Sequence, residues 1–355
     1  MRTVLSPFKR GSRAARPTVY GTGLVHQAWQ QALPQLTVPY TPTPWLPNAH
    51  WQLLFFDGIR KRMLRFDYDR HDELTMSDGG KTALIWSGYA LPAETPTIVL
   101  LHTITGSADS MRELVRDMRQ YTGWRVVLCL RRGHGELPLP VAKINILGCT
   151  DDLHQQLQVI QQHFPQSPLY AIGSSAGSGL LVRYLGEHGA QAVFKAAFAY
   201  CPGYNTDEAF GKAHKAYSRL MAKKLIRRFV HPHRLRLTHL ATLNALTKAS
   251  DLASFHAHSY ELAGFASYAD FNQASNPMQV FADIRTPLLV LNAEDDPVCK
   301  IDNLYPYLPI IEQMPNVLVV TTAKGSHCAY YEGWDARSWA HRLMANYFLW
   351  MANGV

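Results

Sequence analysis

Charge is scarce in this chain: only 17% of its 355 residues are Asp, Glu, Lys or Arg, while 47% are hydrophobic. Such a composition can bury a large core, which excludes the disordered and low-complexity classes. Cysteine is equally thin. Cys129, Cys149, Cys201, Cys299 and Cys328 are scattered, odd in number and without a CxxC pair, so neither a disulfide framework nor a zinc module is expected. No run of about 18 apolar residues occurs. The N-terminal MRTVLSPFKRGSRAARPTVYG is basic but has no apolar stretch of signal-peptide length. These gaps predict a reduced, soluble, cytoplasmic protein. With 23 Gly and 21 Pro, a collagen-like chain is excluded as well.

Acids are also missing locally. Residues 1–56 hold five Lys or Arg and no Asp or Glu, and residues 211–240 hold nine and none. The formal net charge is +8, so the rest of the chain is net acidic by six and the positive excess belongs to two segments. A basic excess raises nucleic acid, anionic lipid and phosphorylated substrates as partners.

Residues 1 to about 44 carry Pro17, Pro34, Pro39, Pro42 and Pro44 without a sustained period, which reads as an extension that wraps or frays. Beyond residue 80, apolar runs at 97–101, 125–130, 169–172, 196–200, 288–292 and 317–320 alternate with amphipathic segments at 107–121, 151–164, 177–188, 301–314 and 334–352. Continuous apolar strands separated by helices imply an α/β fold with a mostly parallel sheet covered on both faces. Thr150 is placed to cap the helix opening with Asp151 and Asp152. The interval from 206 to 281 has helical rather than strand character. The expected division is a basic extension with a signature motif at 1–56, a core at 57–205 and 282–355, and a helical cap or lid at 206–281.

After the run ending at Ile172 comes Gly173-Ser174-Ser175-Ala176-Gly177, a G-x-S-x-G between a predicted strand and a predicted helix. A sharp turn there thrusts the serine oxygen out at the helix N-terminus. A serine hydroxyl needs a base and a carboxylate to orient that base, in the chain order Ser, Asp, His. The late strands end in Glu294-Asp295-Asp296-Pro297 and Gly325-Ser326-His327. Either aspartate could serve simply to cap a loop, and His327 is one of 16 histidines. Their conjunction behind successive strands favours Ser175, Asp296 and His327, with Asp295 holding the loop. The expected oxyanion donors are the N–H groups of Ala176 and Ile104, and His102 is expected to brace that loop.

The segments Trp45-Leu-Pro-Asn-Ala-His-Trp-Gln52, Leu100-Leu-His-Thr-Ile-Thr-Gly-Ser107, Gly148-Cys-Thr-Asp-Asp-Leu153, Asn292-Ala-Glu-Asp-Asp-Pro297 and Gly325-Ser-His327 through Tyr331-Glu-Gly333 carry a resemblance. With them the chain, from about 45 to 350, resembles the YheT-like branch of the α/β-hydrolase superfamily (AB hydrolase family four), which includes eukaryotic abhydrolase-domain lipases and esterases. The resemblance implies ester hydrolysis with Ser175, Asp296 and His327 as triad and no cofactor. It departs from the family pattern at Thr103, Ser178 and Ser326, where glycine is usual, and at Ile146, where relatives often carry histidine.

The reading is thus a serine carboxylester hydrolase working on small acyl esters or lipids through an acyl-enzyme. An acyltransferase using the same residues, or a non-catalytic scaffold binding lipid or membrane, are the alternatives. Lys215, Arg219, Lys223 and Arg227 recur every four residues and share one helix face. That face is either simply solvated or part of a basic lid meeting an anionic membrane. No recognition fold accompanies the charge, so nucleic acid is not an expected partner. His231-Pro-His233 and His256-Ala-His258 have a spacing a metal could use, but no third ligand cluster accompanies either, so no metal is expected. His50 and Gln52 are expected to be structural supports.

Overall fold

A computed structural model describes residues 15–22, 24–147 and 149–354. Arg2, Lys9, Arg10 and Arg13 of the basic extension, and Gly148 of the Gly148–Leu153 segment, lie outside the described residues. Besides a short hairpin of Tyr331–Glu332 with Arg337–Ser338, the strands are β1 (Thr18–Tyr20), β2 (Arg70–Thr75), β3 (Lys81–Ser87), β4 (Thr97–Leu101), β5 (Arg125–Leu130), β6 (Leu169–Ser174), β7 (Phe194–Tyr200), β8 (Leu288–Ala293) and β9 (Val317–Thr322). They form one sheet in the order β1-β9-β8-β7-β6-β4-β5-β3-β2. The strands β4 to β9 pair in parallel, and β1, β2 and β3 join antiparallel at the two sides.

Every residue of β4, β5 and β8 is buried, as continuous apolar runs in a doubly covered parallel sheet demand. The period of two then sends neighbours to opposite faces. Ile98 and Leu100 join one core with Met111, Leu114 and Met118 of the helix Ala108–Thr122 and Leu343 and Phe348 of the helix Trp339–Ala352. Val99 and Leu101 join the other with Leu153, Leu157 and Ile160 of the helix Asp151–His163 and Leu180 and Leu181 of the helix Ala176–His188.

Of wrapping and fraying, the described part of the N-terminal stretch wraps: β1 pairs with β9, and Trp29, Leu33, Leu36 and Tyr40 are buried in the first core. A three-residue strand exists through its partner, which no local period reveals. The strands β2 and β3 were not anticipated either. Thr150 occupies the N-cap position without a side-chain capping bond, because its hydroxyl donates to Glu187 instead. The segment 301–314 is not one helix. Pro306 and Pro309 sit inside it, and it breaks into short turns with α-helix only at Leu308–Ile311, since proline cannot donate into a helix interior.

Between β7 and β8 the described chain forms helices and no strand: Thr206–Lys212, Lys215–Leu225, Leu243–Lys248, Leu252–Ala257 and Tyr268–Ser275. Leu225, Phe229, Leu246, Leu252 and Phe271 build a third core with Ile104, Leu139, Ile144 and Leu147. The helical excursion is thereby seated on the loops that follow β4 and β5, at the carboxyl ends of the strands. Ligand sites of open α/β sheets lie at that end.

Candidate active site

Ser175 follows β6 with φ 53° and ψ −118°, a conformation costly for a residue with a Cβ and characteristic of functional turns. Its neighbours make the turn possible. A Cβ at Gly173 would stand 2.4 Å from the Gly177 carbonyl oxygen, and one at Gly177 would stand 2.1 Å from that of Leu101, so both positions admit only glycine. The Ser175 N–H donates to Tyr200 O at 2.8 Å, and its own carbonyl accepts from Ser178 N at 2.8 Å. Ser178, where the family usually has glycine, adds a second bond to that carbonyl from its hydroxyl.

Three strand ends bring the side chains together. Ser175 Oγ lies 2.8 Å from His327 Nε2, and His327 Nδ1 lies 2.8 Å from Asp296 Oδ2. The other Asp296 oxygen accepts from the backbone N–H groups of Val298 (2.7 Å) and Cys299 (3.0 Å). Those bonds fix the carboxylate before it meets the ring. Burial opposes charging of His327, but Asp296 and then Cys299 outweigh it and raise the imidazole's proton affinity well above its ordinary value. An imidazolium formed by taking the serine proton is therefore stabilised where it forms. Ser326, before this histidine, anchors the loop by donating to Ala49 O at 2.7 Å.

Asp295 does not join this line. Its Oδ1 is buried without a hydrogen-bond partner, and burial, then the neighbouring Asp296, pushes its carboxyl up to about 6.

Ile104 and Ala176 line one cavity with Ser175. Behind the Ile104 loop sits a feature absent from the sequence reading. Arg131 is buried, and its guanidinium donates to the carbonyls of His102 (3.2 Å), Thr103 (2.7 Å) and Ile146 (3.1 Å). None of its partners is a carboxylate, and burial lowers its pKa to about 9. His134 reaches Ile104 O at 2.9 Å, and His102 donates from Nδ1 to Thr103 O at 2.8 Å while its Nε2 accepts from Arg131 N at 3.2 Å. Burial, then Arg131, drives His134 down to about 3 and His102 well below its ordinary value, so both rings are neutral braces. With the Thr103 carbonyl turned toward Arg131, the Ile104 N–H of the same trans peptide points the opposite way. The Arg131-Arg132 doublet directly after a predicted strand was the signal that could have flagged this.

Two spaces open on Ser175. An apolar slot of about 50 Å³ is lined by Leu147, Ala209, Phe210, Met221 and Cys299. A wider channel of about 130 Å³ contains His327, passes Phe56, Tyr217 and Leu220, and has Asp57, Lys61 and Lys224 along it.

The core of this arrangement matches a known family. Residues 96–333 fit the family model described as alpha/beta hydrolase fold. This chain belongs to the alpha/beta hydrolase fold family. Among curated proteins, the hydrolase is 28% identical to "Embryogenesis-associated protein EMB8" of Picea glauca, over 87% of this chain and 72% of that protein. It is 27% identical to "Phospholipase ABHD3" of Bos taurus, over 87% of this chain and 77% of the relative. A solved esterase of Pyrococcus furiosus superposes with a TM-score of 0.50 at 18% identity, covering 81% of this chain and 89% of that one, which speaks for the fold.

The remaining anticipated residues are placed as follows. Lys215, Arg219, Lys223 and Arg227 are all exposed and outside the ion pairs of the described residues. Gln52 is buried and accepts from Tyr331 N at 2.8 Å and Tyr40 OH at 3.2 Å, while His50 meets Tyr217 OH at 2.9 Å and so touches the helical excursion. His256 Nε2 faces Asp207 at 3.2 Å and His258 Nδ1 faces Ser254 O at 2.8 Å. Among the described residues, metal-ligating atoms gather instead at Asp296, Cys299 and His327, and at Cys201, His327 and Cys328. No helix of the described residues is long and apolar enough to cross a membrane.

Proposed function

We propose that this chain is a serine carboxylester hydrolase of esterase or lipase type. The observation that carries the reading is the continuous line from Ser175 Oγ through His327 to Asp296, with 2.8 Å at each step, beginning at a serine held in a strained turn. Ser175 attacks the ester carbonyl as His327 Nε2 takes its proton. Asp296 holds the resulting imidazolium, and the Ile104 and Ala176 N–H groups receive the developing oxyanion. His327 returns the proton to the leaving alcohol, and water, activated by the same ring, cleaves the acyl-enzyme. The name of one relative, phospholipase, supports the class.

The slot without His327 is assigned to the acyl chain, and the channel that contains His327 to the departing alcohol, which must receive a proton from that ring. Residues 206–281 then act as the lid over both. The test is a screen of nitrophenyl esters from acetyl to palmitoyl with Ser175→Ala alongside. Hydrolysis falling off toward long acyl chains, and abolished in the variant, is expected; equal rates in both proteins refute the reading.

The channel's mouth supports a lipid surface as the place of work. Trp51, Leu54, Ile59, Met63 and Leu220 are exposed, on the two helical segments that His50 and Tyr217 join. The exposed cations Lys215, Arg219, Lys223 and Arg227 lie on the second of these or at its end. Apolar side chains beside a basic face suit an anionic interface. Binding to anionic vesicles should weaken with salt and on neutralising the four cations to Gln; unaltered binding removes the membrane from the account.

A further inference from the structure

The cysteines, scattered in the sequence, converge in the fold. Three of the five surround His327. Cys201 Sγ accepts from Cys328 N at 3.2 Å, and Cys201, His327 and Cys328 place one ligand atom each within 4.8 Å of one another. On the cavity side, Asp296, Cys299 and His327 do the same. The histidine nitrogen facing Asp296 is Nδ1, because Nε2 is turned to Ser175. A thiol, a carboxylate and an imidazole are the donor types that hold zinc, at about 2.0–2.3 Å in a tetrahedral array, which puts ligand atoms about 3.3–3.8 Å apart. The three atoms lie within 4.8 Å of one another, and Asp296 Oδ2 and His327 Nδ1, 2.8 Å apart, part by about 0.5 Å to admit the ion.

Access distinguishes the two clusters. Cys201 is buried away from both cavities and Cys328, though it edges the wider channel, is buried too, whereas Cys299 is partly exposed and lines the slot that holds Ser175. We propose that Asp296, Cys299 and His327 form an inhibitory site for a thiophilic divalent cation such as zinc. A bound dication deprotonates a coordinating thiol outright.

The exchange balances simply. The S–H bond breaks, its proton goes to water and a sulfur–metal bond forms. On the neutral ring the metal takes Nδ1, so the single ring proton moves to Nε2. Nε2 then donates where it had accepted, and it is unable to take the serine proton. Occupancy of the site therefore switches off the base without touching Ser175. The inhibitory half of this proposal rests on the ester-hydrolase reading; the binding half does not.

The experiment uses the full chain in two arms. Cadmium alone serves as the optical probe, because a cadmium–thiolate bond absorbs in the ultraviolet, and zinc serves as the inhibitor of nitrophenyl ester hydrolysis. One equivalent of cadmium should give the band in the parent protein and in Cys201→Ala, and the band should be lost in Cys299→Ala and Cys299→Ser. Two Cys299 variants are used so that a fold defect in one, seen by circular dichroism, leaves the other to decide. Zinc inhibition, read against each variant's own metal-free rate, should weaken roughly tenfold or more when Cys299 is replaced. A band retained in both Cys299 variants, or lost only in Cys201→Ala, overturns the assignment. Undiminished zinc inhibition in the Cys299 variants overturns it as well. Absence of ester hydrolysis in the parent protein would refute the proposed function, with the cadmium band still deciding the site.

Discussion

Two doublets of like charge flank the site, Arg131-Arg132 behind β5 and Asp295-Asp296 behind β8, and in each only one member stands in an ion pair of the described residues. Arg132 bonds Asp152 through Nε at 2.8 Å and Asp78 through Nη1 at 2.8 Å. Burial works against its charge, but the two acids outweigh this and raise its pKa. Asp296 is matched by His327 and two backbone N–H groups. Arg131 is buried without an acid, and Asp295 is half-buried, where Lys324 and a Gly325 backbone N–H only partly offset burial and the neighbouring Asp296. The regions differ in which member faces the reaction: the matched one at β8, the unmatched one at β5. A carboxylate that orients a base must be fixed in advance. A cation behind an oxyanion loop gains its opposite charge only while the carbonyl carries it, which is where differential stabilisation is useful.

The acidic doublet offers the sharpest way to break this comparison. Asp296→Asn should lower kcat by about 10³–10⁴, as loss of the orienting carboxylate does in serine hydrolases of this type. Asp295→Asn should do the opposite of harm. A carboxyl held at about 6 rather than 3.8 binds its proton more tightly folded than unfolded, so its burden on stability is complete above pH 6 and fades as pH falls toward 4. The shift corresponds to roughly 2–3 kcal/mol. Denaturant midpoints for Asp295→Asn should therefore exceed the parent's at pH 8 and converge with it near pH 4. A variant less stable at pH 8 would show that Asp295, not only Asp296, is matched.

The basic doublet comes next. Arg132→Met leaves Asp152, 2% exposed, buried without its partner, and breaking such a pair costs about 3–5 kcal/mol. A midpoint close to the parent's would mean that the Arg132 pairs are no more than surface contacts.

The sequence was a good guide to which side chains stand together at the strand ends and a poor one wherever a position depends on distant partners. G-x-S-x-G between an apolar run and a helix, and the aspartate and histidine behind later runs, are local patterns, and the fold brings those residues to hydrogen-bonding distance. The parallel strands were legible because each is apolar throughout. By contrast, β1 exists only through β9, and Pro306 and Pro309 undo a helix that its apolar spacing suggested. That Cys201, Cys299 and Cys328 meet at one histidine is a tertiary fact. So is the isolation of Arg131, since no local pattern says which of two adjacent arginines will find an acid.

That isolation makes the last and smallest expected effect the most informative. Arg131→Met removes the donor to three carbonyls and the charge behind the Ile104 loop, but strands no buried carboxylate. Its stability loss should be smaller than that of Arg132→Met. Its effect should appear in turnover: kcat down about 10–100-fold with KM little changed, because the charge acts on a state that the bound ester has not reached. Arg131→Lys, which keeps the charge but loses the fork that spans His102, Thr103 and Ile146 carbonyls, separates the two contributions. If kcat in the lysine variant stays near the parent's, the charge dominates; if it falls with methionine's, the loop's shape does. A methionine variant with full kcat and a stability loss equal to that of Arg132→Met would erase the distinction between the two arginines, since both would then be ordinary supports of the strand end.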